Sequence, residues 1–321
     1  MIKTAWVQQR VSRRRFMIAA IGGSMAATAA RAAEPKAARE GFESELNAVQ
    51  ELVRKAGLKG VRSSESEFYY GIGDAPDAYR KRAIEICHEL ASVYLKHFQD
   101  KGFAVEAPKR KLIVITLKSR KSYETLIEDA PGADVGGHYD LETNALVVFD
   151  FTADKDKKDA SSRRINTFTL IHESLHQLMF NTGLLDRQAD VPRAVSEGLA
   201  TYGELWLSSA RRVPFGRVNM RRLQVLVDSR AAGDEWLPLE KLLTDDNLLD
   251  QGETVQEAYA QSWLLVHYFM RPDRTAKFRE YLSTLKTRRS PEQRREDAQT
   301  HLGDLGKLDG NLKRYMTQQM R

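Results

Sequence analysis

The sequence predicts an α+β fold in which a small mixed α/β lobe, residues 33–155, precedes a mostly helical lobe, residues 156–321. The first half contains a short β-branched run, RKLIVITL, and an extended stretch that includes ALVVF. From about Ile165 onward, apolar residues recur almost everywhere at helical spacing. Strands followed by a block of helices indicate an α+β fold, and we expect a cleft between the two lobes.

Local patterns predict the elements of the first lobe. A helix is predicted over ESELNAVQELVRKAGL, and a longer amphipathic helix is predicted from Asp77 to about Phe98. SEFYYGIG and RKLIVITL are predicted strands. Ser119 is the predicted N-cap of a helix over RKSYETLIED. GGHYDLETNALVVFDF is predicted to form two strands that turn near Thr143 and Asn144, and the charged stretch TADKDKKDASSRR is predicted to be an exposed loop.

The second lobe is predicted to be a series of helices, at about residues 165–181, 192–210, 215–230, 254–271 and 274–287, with more helix after 291. With 42% hydrophobic and 29% charged residues, the chain has an ordinary globular composition. It is long enough to bury a hydrophobic core without stabilising disulfides. The single cysteine, Cys87, excludes an internal disulfide framework and is expected to be a buried thiol.

The first 32 residues are predicted to be a twin-arginine signal peptide. SRRRF matches the S-R-R-x-F export pattern, and it precedes an apolar run and an A-x-A cleavage site, ARA. The apolar run is shorter than the roughly 20 residues of a membrane span, and two glycines interrupt it. We therefore expect the mature chain to begin near Ala33 without a membrane span. It would be exported by the twin-arginine machinery to the periplasm or the outside of the cell.

Removal of this segment also removes the excess positive charge. The segment contains six of the 50 basic residues and no acidic residue, so 44 basic side chains remain beside 44 acidic ones. The mature chain is therefore close to neutral, and its charge gives no reason to expect a nucleic-acid partner.

Two histidines one helical turn apart stand out in TFTLIHESLHQLMFNTG. The apolar residues of this stretch fall on one helical face, and His172 and His176 project side by side. Two imidazole nitrogens at this spacing can bind one zinc ion at about 2 Å. Glu173 is placed to act as a general base on activated water. Because H-E-x-x-H also arises by chance, a third ligand is needed.

The predicted third ligand is Glu197, which follows His176 after twenty residues in the helical segment VPRAVSEGLATYGELW. Two antiparallel helices joined by NTGLLDRQADVP would bring this carboxylate back over the histidines. Two histidines and one glutamate leave one zinc position for water, as in catalytic sites. Glu204 lies seven residues later on the same face. It either orients a ligand histidine or is an exposed helix carboxylate.

These residues resemble a known family. H-E-x-x-H followed about twenty residues later by E-G-x-A is the gluzincin pattern, and HESLHQLMFNTG…DVPRAVSEGLATYGE is most similar to an uncharacterised bacterial branch of the peptidase-MA-like metallopeptidases. The resemblance is loose over roughly residues 60–285 and tight over 165–206. This chain has Ala194 and Gly203 at two positions where that branch often has an aromatic residue. These differences affect packing and leave the three proposed ligands in place.

The resemblance implies two further roles. EAYAQSWLLVHYF resembles the stretch of M1-like enzymes in which a tyrosine opens a helix, so Tyr259 would donate a hydrogen bond to the tetrahedral oxyanion. Tyr259 could instead be one more aromatic of an apolar helix. The strand before the zinc helix would pair with an extended substrate, and Gly136 and Gly137 would allow close backbone approach. The G-x-M-E-N signature of M1 aminopeptidases is missing, which argues against exopeptidase activity.

The resemblance therefore implies a secreted zinc metallopeptidase that holds one Zn²⁺ per chain and acts on a peptide or protein substrate, with the helical lobe as its catalytic part. Two alternatives stay open: a non-catalytic zinc-binding envelope protein with a peptide or glycopeptide groove, and a cell-wall amidase. The intact Glu173 favours catalysis, because a protein that only binds has no need of that carboxylate. No appended wall-binding module is visible, which disfavours a dedicated wall enzyme.

Overall fold

The computed structural model confirms the predicted α+β fold, with a five-stranded sheet in the first half of the chain and a mostly helical second half. It describes residues 36–129, 135–151, 160–206, 214–250, 252 and 254–320. The predicted signal peptide lies outside these ranges. Within them, no helix has the length and apolar character that a membrane crossing requires.

The sheet combines parallel inner strands with antiparallel edges. Its strands are β1 (Arg62–Glu65), β2 (Tyr69–Gly73), β3 (Leu112–Leu117), β4 (Gly137–Asp140) and β5 (Ala145–Phe149). They lie in the order β1-β2-β3-β5-β4. Strands β2, β3 and β5 run parallel, whereas β1 and β4 pair antiparallel at the two edges. Every residue of β3 and β5 is buried, as is usual for parallel strands covered on both faces.

The helices of the first half are α1 (Lys36–Lys55), α2 (Asp77–Asp100) and α3 (Arg120–Ile127). Ser119 caps α3 as predicted, because its hydroxyl accepts a hydrogen bond from the Ser122 N–H at 3.3 Å. The predicted strand SEFYYGIG begins too early, since β2 starts at Tyr69. Strand β1 was not predicted, because its sequence RSSE is polar and mostly exposed and carries no apolar alternation.

The helices of the second half are α4 (Ala160–Asn181), α5 (Arg193–Gly203), α6 (Met220–Ala232), α7 (Leu239–Thr244), α8 (Val255–Phe269), α9 (Thr275–Leu285), α10 (Arg294–Leu302) and α11 (Leu305–Gln319). The loop predicted over residues 152–164 is wrong from Ala160 onward, where α4 has begun, and residues 152–159 lie outside the described ranges. The helix predicted over 192–210 ends at Gly203. The helix predicted from 215 begins at Met220, because the Asn219 side chain caps it.

Two groups of buried apolar residues lie on opposite faces of the sheet. Along β3, Ile113 and Ile115 belong to the group covered by α1 and α3. Leu112 and Val114 belong to the other group, which continues through α2 and α4 into the helical half. Because one core spans both halves, the predicted division near residue 155 and the predicted cleft between lobes stay predictions.

Helix α4 is fixed against the sheet by polar side chains one turn apart. Glu173 Oε2 accepts a hydrogen bond of 2.9 Å from the backbone N–H of Tyr139 in β4. Gln177 Nε2 donates to the backbone carbonyls of Ile113 and Asn144, both at 2.9 Å. Gln177 is fully buried. These bonds leave α4 little freedom to rotate or slide, because each alternative position would bury unpaired polar groups.

Asn181, one turn beyond Gln177, completes this polar stripe. Its side-chain amide and that of Asn144 exchange two hydrogen bonds, of 2.7 and 2.9 Å. Asn144 has a left-handed φ of 58°, which asparagine adopts more readily than most residues. It also bonds to Tyr139 and to Glu45 of α1. The predicted turn between β4 and β5 is therefore tied to both α1 and α4.

Replacing Gln177 by alanine should lower the free energy of unfolding by about 1–3 kcal/mol, because two buried carbonyls lose their donor. Urea unfolding of the purified chain measures this change. Gln99→Ala is the matched control, since Gln99 donates a single part-buried hydrogen bond to the Val105 carbonyl. The control should cost less, and an equal loss in the two variants would contradict the role of Gln177 in holding α4.

Candidate metal centre

Three ligand atoms converge between α4 and α5. The Nε2 atoms of His172 and His176 lie 3.3 Å apart, and Glu197 Oε2 lies 3.2 Å from the first and 3.3 Å from the second. All three residues are buried. Four ligands placed tetrahedrally around an ion at about 2.0–2.1 Å are about 3.3 Å apart. The group therefore has the spacing and the donor types that a divalent metal such as zinc requires.

The direction of the histidines follows from the way α4 meets the sheet. Residues on a helix advance by about 100° each. Glu173 and Gln177 bond to the sheet. His172 and His176 each precede one of these residues, so their side chains point about 100° away, towards α5. The same helix thus presents one polar stripe to the sheet and a second stripe, with ligand atoms, to its neighbour.

His172 lies between two carboxylates. Its Nε2 faces Glu197, and its Nδ1 lies 3.2 Å from Glu204 Oε2. Burial alone would lower the pKa of His172, but its hydrogen bonds to Glu197 and Glu204 outweigh burial and raise that pKa to about 10 in the metal-free site. Burial also opposes ionisation of Glu197, but the charge of His176 and the hydrogen bonds of both imidazoles hold its pKa well below the usual range. A metal ion must displace the proton of His172 to bind.

Glu173 is a buried carboxyl on the sheet side of the ligand group, with 2% of its surface exposed. Burial raises the pKa of Glu173 above its ordinary value, while the charges of His172 and His176 and the hydrogen bond from Tyr139 oppose the rise. A carboxylate with a raised pKa beside a metal-ligand group is suited to accept a proton at neutral pH. The structure places Glu173 next to His172 on α4 with its Oε2 at the β4 backbone, and its role as general base stays a prediction.

Tyr259 lies in α8, the helix that packs against α5, and is 3% exposed. Burial raises its pKa well above the ordinary value, and the charge of Glu197 adds to the rise, while Arg193 and Arg222 oppose it. The phenol therefore stays protonated and is able to donate a hydrogen bond. The guanidinium of Arg222, which bonds to Glu204, lies 5.3 Å from the centroid of the Tyr259 ring.

Gly198 allows α5 and α8 to pack closely enough for this arrangement. A Cβ added at Gly198 would lie 2.5 Å from the Ser262 carbonyl oxygen and 2.7 Å from Val266 Cγ2. Any other residue would force the two helices apart, because backbone cannot yield as a flexible side chain can. Gly198 follows Glu197, and Tyr259 lies on the facing helix. The glycine of the E-G-x-A pattern thus has a physical reason, which is the close approach of α8 to α5 next to Glu197.

Gly203 and Ala194, the two positions where the similar metallopeptidases often have an aromatic residue, lie in closely packed surroundings. A Cβ added at Gly203 would lie 2.5 Å from the Phe215 ring and 2.8 Å from Leu175 Cδ1. Phe215 therefore occupies the space beside this position, and an aromatic side chain at 203 has no room. Ala194 is fully buried in α5.

Gly136 and Gly137 lie at the start of β4, an edge strand of the sheet. A Cβ at Gly136 would meet the Phe151 ring at 2.5 Å and Thr169 Oγ1 at 2.9 Å. A Cβ at Gly137 would meet the Val147 carbonyl oxygen at 2.4 Å. Close packing inside the protein accounts for both glycines, so their role in substrate approach stays a prediction.

Glu204 proves to be buried, and its partners were not foreseen from the sequence. Asn219 Nδ2 donates to Glu204 Oε1 at 2.6 Å, and Arg222 donates to both carboxylate oxygens at 3.1 and 3.2 Å. Burial opposes ionisation of Glu204, but the charge of Arg222 and the hydrogen bond of His172 lower its pKa below the ordinary value. No pattern in the sequence indicated Asn219 or Arg222 as a partner of Glu204.

Comparisons with known proteins cover part of the chain. A family profile described as Protein of unknown function (DUF1570) matches residues 166–292. This range contains His172, His176, Glu197 and Tyr259. No curated protein matches the chain. The arrangement of His172, His176 and Glu197 itself is therefore the support for a metal site.

Replacing Gly198 by alanine should lower the free energy of unfolding by about 1–3 kcal/mol, because the added methyl group overpacks the α5–α8 contact. The variant should also bind metal more weakly, since α5 carries Glu197. Gly310→Ala is the matched control, because the nearest atom to its added Cβ is Arg314 Nη1 at 3.7 Å. That control should be neutral or stabilising by up to about 1 kcal/mol. Wild-type stability and metal affinity in Gly198→Ala would contradict the close-approach argument.

The wild-type chain should bind one divalent metal ion and release about one proton at pH 7 to 8. The hydrogen bonds to Glu197 and Glu204 raise the pKa of His172 to about 10, so this residue must lose a proton when the metal binds. Affinity should therefore rise with pH. Calorimetry in buffers of different ionisation enthalpy measures both quantities. His176→Ala should abolish the binding. His301→Ala should preserve it, since His301 bonds to Thr284 instead. Metal binding without proton release would contradict this assignment of charge.

Proposed function

We propose that this protein is a zinc-dependent metallopeptidase that hydrolyses peptide bonds with activated water. The observation that carries the proposal is the convergence of His172, His176 and Glu197, at 3.2–3.3 Å from one another, beside the buried carboxyl of Glu173. Two imidazoles and one carboxylate leave the fourth position of a tetrahedral ion open, which is the pattern of catalytic rather than structural zinc sites.

Each residue of the site has a chemical role in this proposal. When bound, the zinc ion supplies a Lewis acid that acidifies water and polarises a carbonyl group. Glu173 accepts the proton from the attacking water and passes it to the leaving amine. Its Oε2 is held by the Tyr139 N–H, so Oε1 is available for the proton. Tyr259 donates its hydroxyl hydrogen bond to the oxyanion that develops on the substrate.

The proposed substrate is an extended peptide that lies along β4. This strand pairs with β5 on one side and forms the edge of the sheet on the other. The Tyr139 N–H bonds to Glu173, so the proposed base lies at that strand. A peptide added to the edge would therefore pass close to Glu173. The missing G-x-M-E-N signature favours cleavage within a chain over removal of its first residue.

Glu173→Gln should keep the fold and the zinc but lose nearly all turnover. The amide oxygen can still accept from the Tyr139 N–H, but the side chain cannot take the water proton. Cleavage of a peptide library at equal zinc occupancy measures the ratio of rates. A ratio near one would remove Glu173 from the mechanism. Peptide binding that is equal in both proteins, with no cleavage by the zinc-loaded wild type, would instead support a non-catalytic binding protein.

Tyr259→Phe should reduce kcat by about a hundredfold to a thousandfold with little change in KM, because the lost hydrogen bond is strongest in the transition state. Tyr281→Phe is the matched control. Its hydroxyl is fully buried and has no hydrogen-bond partner within the described residues. The control should leave kcat unchanged. Similar kcat values in the two variants would remove Tyr259 from the mechanism.

We also propose that the protein acts in the periplasm or outside the cell after export by the twin-arginine route. The support is the SRRRF motif, the apolar run and the ARA site within residues 1–32. Replacing both Arg13 and Arg14 by lysine should retain the precursor in the cytoplasm, whereas Arg10→Lys should not. Cell fractionation measures the distribution, and unchanged export of the double variant would contradict this route.

A further inference from the structure

We propose that Arg222 is a positioning residue whose single guanidinium group fixes both a metal ligand and the proposed oxyanion donor. It reaches His172 through Glu204, and it lies over the ring of Tyr259. The part of the inference that concerns catalysis rests on the proposed metallopeptidase function. The part that concerns metal binding is independent of any enzymatic activity.

The first connection runs through a carboxylate whose acceptor sites are all used. Glu204 Oε1 accepts from Asn219 Nδ2 at 2.6 Å and from Arg222 Nε at 3.1 Å. Glu204 Oε2 lies 3.2 Å from both Arg222 Nη2 and His172 Nδ1. A carboxylate has about four lone-pair sites, so three fixed donors leave only the direction of His172 open.

This arrangement determines which nitrogen of His172 is available to the metal. The fixed oxygen at Nδ1 holds the ring proton there, which leaves the Nε2 lone pair for coordination. The same contact sets the rotation of the imidazole, and so the direction of Nε2 towards His176 and Glu197. Arg222 therefore acts on the metal site without touching a ligand atom.

The charge of Arg222 is needed because Glu204 is not the only buried acid here. Glu173, Glu197 and Glu204 are each 2% exposed, and Arg222 is 7% exposed. Water is therefore not available to stabilise a third buried negative charge. The guanidinium stays charged under all ordinary conditions and matches a carboxylate with two parallel donors. Its removal would leave Glu204 as a buried carboxylate without a compensating charge.

The second connection runs from the face of the guanidinium to Tyr259. The central guanidinium carbon lies 5.3 Å from the centroid of the phenol ring. A planar guanidinium can donate from its edge and stack with its face at the same time, whereas a lysine ammonium cannot. Helices α6 and α8 pack together at this point. The orientation of the Tyr259 hydroxyl is thus tied to the same group that orients His172.

Arg222 is not exposed to a substrate, since it is buried and two of its nitrogens bond to Glu204. It is therefore a positioning residue and not a catalytic one. A purely structural role, in which Arg222 only attaches α6 to its neighbours, predicts lower stability but unchanged metal affinity and no coupling to Tyr259. These two readouts separate the alternatives.

The first test measures zinc affinity of the full chain by competition with a chelator. Arg222→Lys keeps the charge but loses the planar fork, and it should weaken zinc binding about 10- to 100-fold. Arg80→Lys is the matched control, because Arg80 is also buried but bonds to Asp77, Ser64 and the Ala75 carbonyl in the first half of the chain. It should leave zinc affinity unchanged. A folded Arg222→Lys with wild-type zinc affinity would overturn the proposal.

A second variant keeps the test decisive if Arg222→Lys does not fold. Asn219→Ala removes the shortest donor to Glu204, together with the N-cap of α6, but keeps the Arg222 guanidinium. It should weaken zinc binding in the same direction by a smaller factor. Unchanged zinc affinity in folded Asn219→Ala would overturn the connection through Glu204.

The third test is a double-mutant cycle in kcat between Arg222→Lys and Tyr259→Phe, at saturating zinc. If Arg222 orients Tyr259, the lysine substitution should cost less once the hydroxyl is gone, with a coupling of about 2- to 150-fold. Additive effects would overturn the second connection. If the zinc-loaded wild type cleaves no peptide, the proposed function fails, and the zinc-affinity tests still decide whether Arg222 positions His172.

Discussion

The register of α4 against the sheet is the constraint on which the rest of the site depends. Gln177 donates to two backbone carbonyls, and Glu173 accepts from the β4 backbone. These bonds fix the rotation of α4 about its axis and its position along that axis. Because helical residues advance by about 100° each, this fixes His172 and His176 in the direction of α5. A slip of one residue would turn the imidazoles away from Glu197 and leave the polar stripe unpaired in the core.

A second constraint is the close approach of α5 and α8. Gly198 has no side chain to separate them, and it directly follows Glu197 on α5, while Tyr259 lies on α8. This region therefore gathers three carboxylates, those of Glu173, Glu197 and Glu204, each only 2% exposed. Such a cluster needs positive partners, which are Arg222 on Glu204 and, at Glu197, either a protonated imidazole or a metal ion that the ligand atoms could hold.

The sequence predicted the parts of this structure that depend on local spacing. One helical turn of the sequence contains the H-E-x-x-H motif, with His172, Glu173 and His176. The order of strands and helices predicts the α+β class. Other parts depend on contacts between distant segments. No local pattern could show that Gln177 meets Ile113, or that Arg222 meets Glu204. The short polar strand β1 was missed for a related reason. Its sequence has no apolar alternation, and it forms a strand because it pairs with β2.

The most direct test of the central claim is X-ray absorption at the zinc edge of the full chain loaded with one equivalent of zinc. The geometry of His172, His176 and Glu197 predicts four nitrogen or oxygen neighbours at about 2.0–2.1 Å, with the outer-shell signal of two imidazoles. In His176→Ala, which should lose the site, the signal of both imidazoles should disappear. A spectrum without imidazole scattering, or one dominated by sulfur at about 2.3 Å, would show that zinc binds elsewhere and would contradict the proposed metal centre.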